Sequence, residues 1–295
     1  MEKIKFLTDS ACDIPQELEE EFEIDIMPIP IAIEGKSYLE RMDFSTEEFY
    51  DILGRVSEIP VTSHITSPVF LEKYEELYQA GYTNVIHVTI CGNGSSMFSA
   101  AQVARDLFFE EHPQAKGSFQ IDILDSKTYT MAYGYPIIQA AKMARAGESA
   151  QKILEYLEDF FNSVEIYFSV FNLDFAKKSG RISCAAAFVG EVLGLRPIIS
   201  IIDGEIKIIS KVRGDKNIVP KLCSLACERR EKPGTPFFTL RAIGPEPAQE
   251  LSAVLEKQWK QSSQGIYYAG ASITINAGPR LVGVAVLGKN RAKQS

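Results

Sequence analysis

Histidine and cysteine are scarce in this chain: three His and five Cys in 295 residues, with no CxxC pair and no HxxxH spacing. A closed zinc site takes its ligands at short, paired spacing, so no metal centre is expected. The five cysteines (Cys12, Cys91, Cys184, Cys223 and Cys227) are odd in number and scattered, which excludes a disulfide scaffold and fits reduced thiols in a cytoplasm. Positive charge is also short. Thirty-one Lys and Arg against 39 Asp and Glu leave a net charge of −8, a poor balance for gripping nucleic acid. Long apolar runs are missing too. Residues 29–33, 197–202 and 282–287 stop far short of the roughly 18–20 residues of a membrane span. The opening MEKIKFLTDS enters a strand pattern without the apolar core of a signal peptide, so a cytoplasmic location is expected. A true Walker A loop is absent as well: Gly35-Lys36-Ser37 has Pro30 where the leading Gly belongs, and the run from Gly283 to Lys289 ends in Asn290. Neither nucleotide nor other cofactor is expected.

What is present is ordinary globular composition, 45% hydrophobic and 24% charged, with 20 Gly and 14 Pro. The length favours two domains over one. Strand-like stretches at 4–7, 24–31, 85–90 and 119–124 alternate with amphipathic stretches such as 45–54 and 70–78, the pattern of βαβ units on a parallel sheet. Two further helices, joined at Gly147 with Ser149 as the next cap, fill 131–161. The second half starts with a buried strand at 164–171 and a helix. A hairpin follows, with residues 196–202 and 205–212 flanking the turn pair Asp203-Gly204. A helix at 216–229, a strand at 237–241, a helix at 247–260 and strands at 266–275 and 281–287 complete it, with a frayed tail at 289–295. The expected fold is therefore two α/β domains, residues 1–155 with a mainly parallel sheet and residues 156–295 with a mixed sheet, and a ligand between them.

In a parallel sheet the ligand lies beyond the carboxyl ends of the strands, where four hydroxyl-rich loops fall. They read Thr8-Asp9-Ser10, Thr62-Ser63-His64, Cys91-Gly92-Asn93-Gly94-Ser95-Ser96 and Asp125-Ser126. Each alone is ordinary turn and cap chemistry. Four at one sheet edge point to an anionic group held by hydroxyls and backbone N–H groups. A rival reading makes Cys91 a nucleophile, with His64 as its base and Asp9 or Asp125 as orienting acid, in a Cys/His hydrolase. A small buried Cys is the commoner use of that residue in α/β cores, so the primary reading is non-catalytic.

Laid end to end, these segments resemble the DegV family. The resemblance rests on Thr8-Asp9-Ser10 with Asp13, on Val61-Thr62-Ser63-His64 where the family has Thr-Thr-Ser-Gln, on Cys91–Ser96 and on Asp125-Ser126-Lys127. It continues through Lys178-Ser179-Gly180-Arg181-Ile182-Ser183, Leu195-Arg196-Pro197-Ile198, Lys211-Val212-Arg213-Gly214 and Gly278-Pro279. The family implies a long-chain fatty acid bound between the domains and presented to a separate fatty acid kinase, the protein itself being a non-catalytic carrier. By motif position Thr62 and Ser95 would hold the carboxylate, with Ser63, Cys91, Ser96 and Arg181 close by. Asn276, Gly278 and Arg280 would form the far side of the head site, where the family has a His and Gly-Pro-Gly. Asn276-Ala277-Gly278-Pro279-Arg280 departs from that pattern, and Arg280 would restore positive charge if it pointed inward. The tail tunnel has no spacing signature, because Phe168, Phe171, Phe175, Phe188 and Val192 read equally as ordinary core.

Overall fold

The computed structural model describes residues 2–181 and 194–293; Ile182, Ser183, Cys184, Phe188 and Val192 lie outside the described residues. In chain order the first half runs β1 (Ile4–Asp9), α1 (Gln16–Phe22), β2 (Asp25–Met27), β3 (Pro30–Ile33), β4 (Lys36–Leu39), α2 (Thr46–Leu53), β5 (Val61–Thr62) and α3 (Ser67–Gln79). It continues with β6 (Asn84–Thr89), α4 (Met97–Glu111), β7 (Gln120–Asp125), α5 (Met131–Arg145) and α6 (Ala150–Phe161). The second half holds β8 (Val164–Val170), α7 (Asp174–Ser179), β9 (Leu195–Ile202), β10 (Glu205–Arg213), α8 (Ile218–Arg229), β11 (Phe237–Arg241), α9 (Glu246–Trp259), β12 (Ile266–Tyr268), α10 (Ala271–Ala277) and β13 (Leu281–Leu287).

The molecule is α/β, with a parallel and a mixed sheet. Strands β2-β1-β6-β7 form a four-stranded sheet paired in parallel throughout. Strands β10-β9-β8-β13-β11-β12 form a six-stranded sheet in which only β11 and β12 run parallel. The period of two along β13 divides the core. Val282, Val284 and Val286 face a layer built with α8 and α9, whereas Leu281 and Ala285 join the larger core of the first half. Helix α5 contacts both β1 and β8 and is buried along most of its length, as a helix covered on several sides must be. All seven residues of β8 are buried. Its Glu165 is tolerated there because Arg229 grips it with two hydrogen bonds of 2.7 and 3.0 Å.

Three expectations are corrected. The stretch 24–31 is two strands in two sheets, because Pro28 and Pro30 cannot donate to a ladder: the chain leaves the parallel sheet after Met27 and starts β3 at Pro30. With β4 and β5, β3 makes a small antiparallel sheet, β4-β3-β5, that the sequence pattern did not announce. The stretch 266–275 is not one strand. Strand β12 ends at Tyr268, and Ile273, Thr274 and Ile275, β-branched residues that favour strands, lie in helix α10. Contacts from the first half override that propensity: Gly270 and Ser272 donate their N–H groups to Asp13 and Glu40, at 2.9 and 2.8 Å. The tail is docked rather than frayed as far as Lys293, since Arg291 donates to the Phe161 carbonyl at 2.6 Å and Lys293 pairs with Asp159 at 2.7 Å.

Candidate functional site

Two acids at strand ends shape the loops. Asp9, the last residue of β1, is fully buried; its Oδ2 accepts from the Ile90 N–H at 2.8 Å and its Oδ1 from the Tyr133 hydroxyl at 2.7 Å. Burial pushes this carboxyl up to about 6, against the opposing effect of its donors. Asp125, the last residue of β7, accepts from the N–H groups of Gly92 (3.0 Å) and Lys127 (2.8 Å). Asp125 therefore braces the Cys91–Ser96 loop, and Asp9 holds Ile90, the residue that leads into it. The Asp203-Gly204 turn of the β9–β10 hairpin docks on that loop, where Asn93 Nδ2 donates to the Gly204 carbonyl at 3.4 Å, and on the loop after β7. Gly204 donates its N–H to the Lys127 carbonyl at 2.8 Å, and Lys127 pairs with Asp203 at 3.0 Å.

A cavity of about 570 Å³ opens where these loops face the mixed sheet, within the range of small-molecule sites. Its more polar wall carries Thr62 at the end of β5, Ser63 and His64 just after it, the run Gly92 to Ser96, and Tyr129 and Thr130 after β7, with Ile29, Ile90 and Met97 among them. Its apolar wall comes from the mixed sheet: Ile166, Phe168, Ile201, Ile206, Leu240 and Leu281. Helix α10 supplies Ser272, Ile273, Asn276 and Ala277, and Arg181 stands at the margin, exposed to solvent. The arrangement suits an amphipathic ligand with its polar head at the hydroxyls and its chain against the sheet.

The sequence-expected residues divide. Thr62, Ser63, Ser95, Ser96, Arg181 and Asn276 line the cavity; Cys91, Gly278 and Arg280 do not. Arg280 is exposed and lies over the Phe171 ring at 4.7 Å, a cation–π contact that leaves it no part in restoring charge at the cavity wall. Gly278 ends α10 with φ of 95°, its N–H donated to the Thr274 carbonyl. The Cys91 nucleophile is also corrected. Its thiol is buried beneath the loop, 3.8 Å from the Gly204 carbonyl and hydrogen-bonded with Tyr129, and burial raises its pKa, opposite to what a thiolate needs. Among the described residues His64 is not one of its partners, Asp9 is committed to the Ile90 and Ala11 N–H groups and the Tyr133 hydroxyl, and Asp125 to the Gly92 and Lys127 N–H groups. His87 is buried in β6 with its Nδ1 2.7 Å from the Tyr74 hydroxyl, and desolvation pulls its pKa down to about 3. His112 lies near Glu75 and Glu111 on the surface of α3 and α4, and none of the three lines the cavity.

Sequence reasoning missed the apolar wall, Tyr129, Thr130 and the joint under α10. Tyr129 and Thr130 follow Asp125-Ser126-Lys127 directly and were within reach of the same loop argument. The joint was not. The Glu40 carboxylate accepts from the hydroxyls of Ser10 (2.6 Å) and Ser272, and the Tyr50 hydroxyl donates to the Ala269 carbonyl at 2.7 Å. These bonds tie the first half to the residues that carry the cavity's helix.

The chain was compared with known proteins. Residues 3–289 match the model of an uncharacterised protein family, the DegV family. A DegV domain-containing protein of Caldanaerobacter subterraneus subsp. tengcongensis is 30% identical over 290 residues, covering 96% of this chain and 98% of its own. Among solved structures, DegV, a fatty acid binding protein from Bacillus subtilis, superposes with a TM-score of 0.81 at 25% identity, covering 98% of this chain and all of its own. A DegV lipid binding protein from Thermotoga maritima gives a TM-score of 0.82 at 26% identity, covering 98% of this chain and 99% of its own.

Proposed function

The chain belongs to the DegV family, and from that premise we propose that it binds one long-chain fatty acid as a non-catalytic carrier. The observation that carries the reading is the two-sided cavity, with hydroxyls and loop N–H groups at one wall and aliphatic and aromatic side chains at the other. The fatty-acid and lipid binding of the Bacillus and Thermotoga proteins supports it. Energetics agree. Burying about 14 methylenes at roughly 0.8 kcal/mol each gives on the order of 11 kcal/mol before association costs, while a neutral hydrogen bond nets about 1 kcal/mol. The chain of the ligand sets affinity. The head-group donors orient it and keep the carboxylate from being desolvated unpaired, which would cost several kcal/mol.

Presentation of the carboxylate to a separate fatty acid kinase is part of this proposal. It is supported by the exposure of Ser63, His64 and Arg181, which would leave the head end within reach of a partner. Among the described residues no helix is long and apolar enough to cross a membrane, in keeping with the cytoplasmic carrier proposed. Denaturing extraction of the purified protein followed by mass spectrometry tests the reading: one fatty acid per chain is expected. Finding no acyl chain, and no thermal stabilisation on adding one, would sink it. Transfer of phosphate to the bound acid by a fatty acid kinase, and not to the free acid, tests the presentation.

A further inference from the structure

The charges around the cavity are few and of one sign. Among its described lining residues none carries a carboxylate, although the chain has 39 Asp and Glu, and two carry basic groups, Arg181 and His64. Helix α10 lies between their segments, since it contacts both β5, which ends two residues before His64, and α7, which ends two residues before Arg181. Ser63 donates its N–H to the Pro30 carbonyl at 3.0 Å and Ile65 is buried, so the backbone on either side of His64 is held while its side chain stays exposed. That side chain makes no hydrogen bond, ion pair or ring contact among the described residues. Arg181 is exposed too, with Nη1 donating to the Ser179 carbonyl at 3.0 Å, and its charge is felt at Tyr129 on the loop wall. A permanent cation and an unengaged imidazole therefore line a cavity that has no acid of its own.

Imidazole is the one side-chain type among these lining residues that ordinarily changes charge between pH 5 and 8. We propose that His64 is a ligand of the fatty acid's carboxylate and acts in its protonated form, so that the head is held by one fixed and one switchable cation and is released more readily as pH rises. The surroundings of His64 explain why the ligand itself is needed. Arg181 repels a second positive charge, and so does the N-terminus of α3, which opens at Ser67. Asp125, behind the loop wall, is engaged by the N–H groups of Gly92 and Lys127. Helix α10 and the mixed sheet bring only Ser272, Asn276 and apolar residues to the cavity. A bound carboxylate supplies the missing negative charge, so binding draws a proton onto His64. This inference rests on the carrier reading and deepens it to the regulation of the same site.

The test is titration calorimetry of hexadecanoic acid, and of hexadecan-1-ol as an uncharged probe of the same length, on delipidated wild type and His64→Gln at pH 6 and pH 8. An exposed ion pair of this kind is worth about 3- to 5-fold in affinity. The acid is therefore expected to bind wild type about 3- to 5-fold more tightly than the variant at pH 6 and equally at pH 8, and the alcohol to bind both alike at either pH. Asp9 titrates in the same range but is present in both proteins, so it cancels from the ratio. At pH 6.5, in buffers of different ionisation enthalpy, wild type should take up a fraction of a proton with the acid that the variant does not. His64→Arg, which fixes the charge, should keep at pH 8 the advantage that wild type shows only at pH 6. A wild-type to variant ratio that is the same at both pH values, or equal proton uptake by the two proteins, would overturn the inference and leave the carrier reading standing. So would the same ratios with the alcohol, since the ring would then act through shape and not charge. Failure of both acid and alcohol to bind wild type would remove the carrier reading as well.

Discussion

Single residues in this site divide into those that face the ligand and those that hold the loops. Asp9 is of the second kind, and its titration has a readable consequence. Its carboxyl is raised from 3.8 to about 6 in the folded chain, mainly by burial, so the fold holds this proton more tightly than the unfolded chain does. Stability contributed by the group is then fully present below pH 3.8 and is lost as pH rises through about 6, by roughly 3 kcal/mol. Asp9→Asn removes the titrating group. The stability of wild type minus that of the variant, from urea melts between pH 4 and 7, should fall by up to that amount. A difference that stays level across the range would contradict the assignment. Thr62 is of the first kind. It lines the cavity at the end of β5 and is only half-buried, so Thr62→Val should leave the fold nearly unchanged and weaken hexadecanoic acid by about 1–3 kcal/mol in calorimetry. Unchanged affinity would take Thr62 out of the head site.

At the scale of elements, the β9–β10 hairpin does more than pair strands. Asp203 and Gly204 both have positive φ, 52° and 77°, the signature of the tight turn that Asp-Gly favours. A Cβ on Gly204 would lie 2.8 Å from Asn93 Nδ2 and 3.1 Å from Cys91 Sγ. The same turn chemistry recurs at Glu34-Gly35 between β3 and β4, with φ of 47° and 79°, but a Cβ on Gly35 meets nothing within 4 Å. Both Gly35→Ala and Gly204→Ala should cost about 1 kcal/mol of backbone strain. Gly204→Ala should cost a further 1–2 kcal/mol, because the hairpin must back away from the Cys91–Ser96 loop. Parallel urea titrations of the two variants measure the difference, and equal losses would mean the docking contributes little.

For the whole molecule, the cavity exists because two sheets are held at a fixed relation. The bonds from Asp13, Glu40 and Tyr50 to residues 269–272 fasten α10 against the first half, and a Cβ on Gly270 would fall 2.4 Å from Asp13 Oδ1, which leaves glycine the only residue that fits. Tyr50→Phe deletes one of these bonds and should lower global stability by about 1 kcal/mol in denaturant melts. A fatty acid that touches both walls should act as a further tie, stabilising the chain by about 2.7 kcal/mol at 100 times Kd, read as a rise in the midpoint of a calorimetric scan. The Tyr50→Phe loss should then be larger with ligand than without it where an opened form that binds less well is populated, because ligand removes that form as a fallback. Identical losses with and without hexadecanoic acid would separate this fastening from the site.

By itself, the order of strands and helices along the chain settled the α/β class and the pairing of a parallel with a mixed sheet, because periods of 2 and 3.6 and turn residues such as Asp203-Gly204 act over short distances. The hydroxyl loops were legible for the same reason: a strand end, a small residue and a helix start are neighbours in sequence. Tertiary structure alone decided the rest. Whether 271–277 is strand or helix turned on acids more than 200 residues away that capture its N–H groups. That Arg280 stacks on Phe171 and that Cys91 hides under a hairpin depends on which face each loop presents once the sheets have packed. The apolar wall was illegible because a side chain lining a cavity and one filling a core are the same residue types at the same spacing, and only the packing of the second sheet against the first says which of them meets a neighbour and which meets open space.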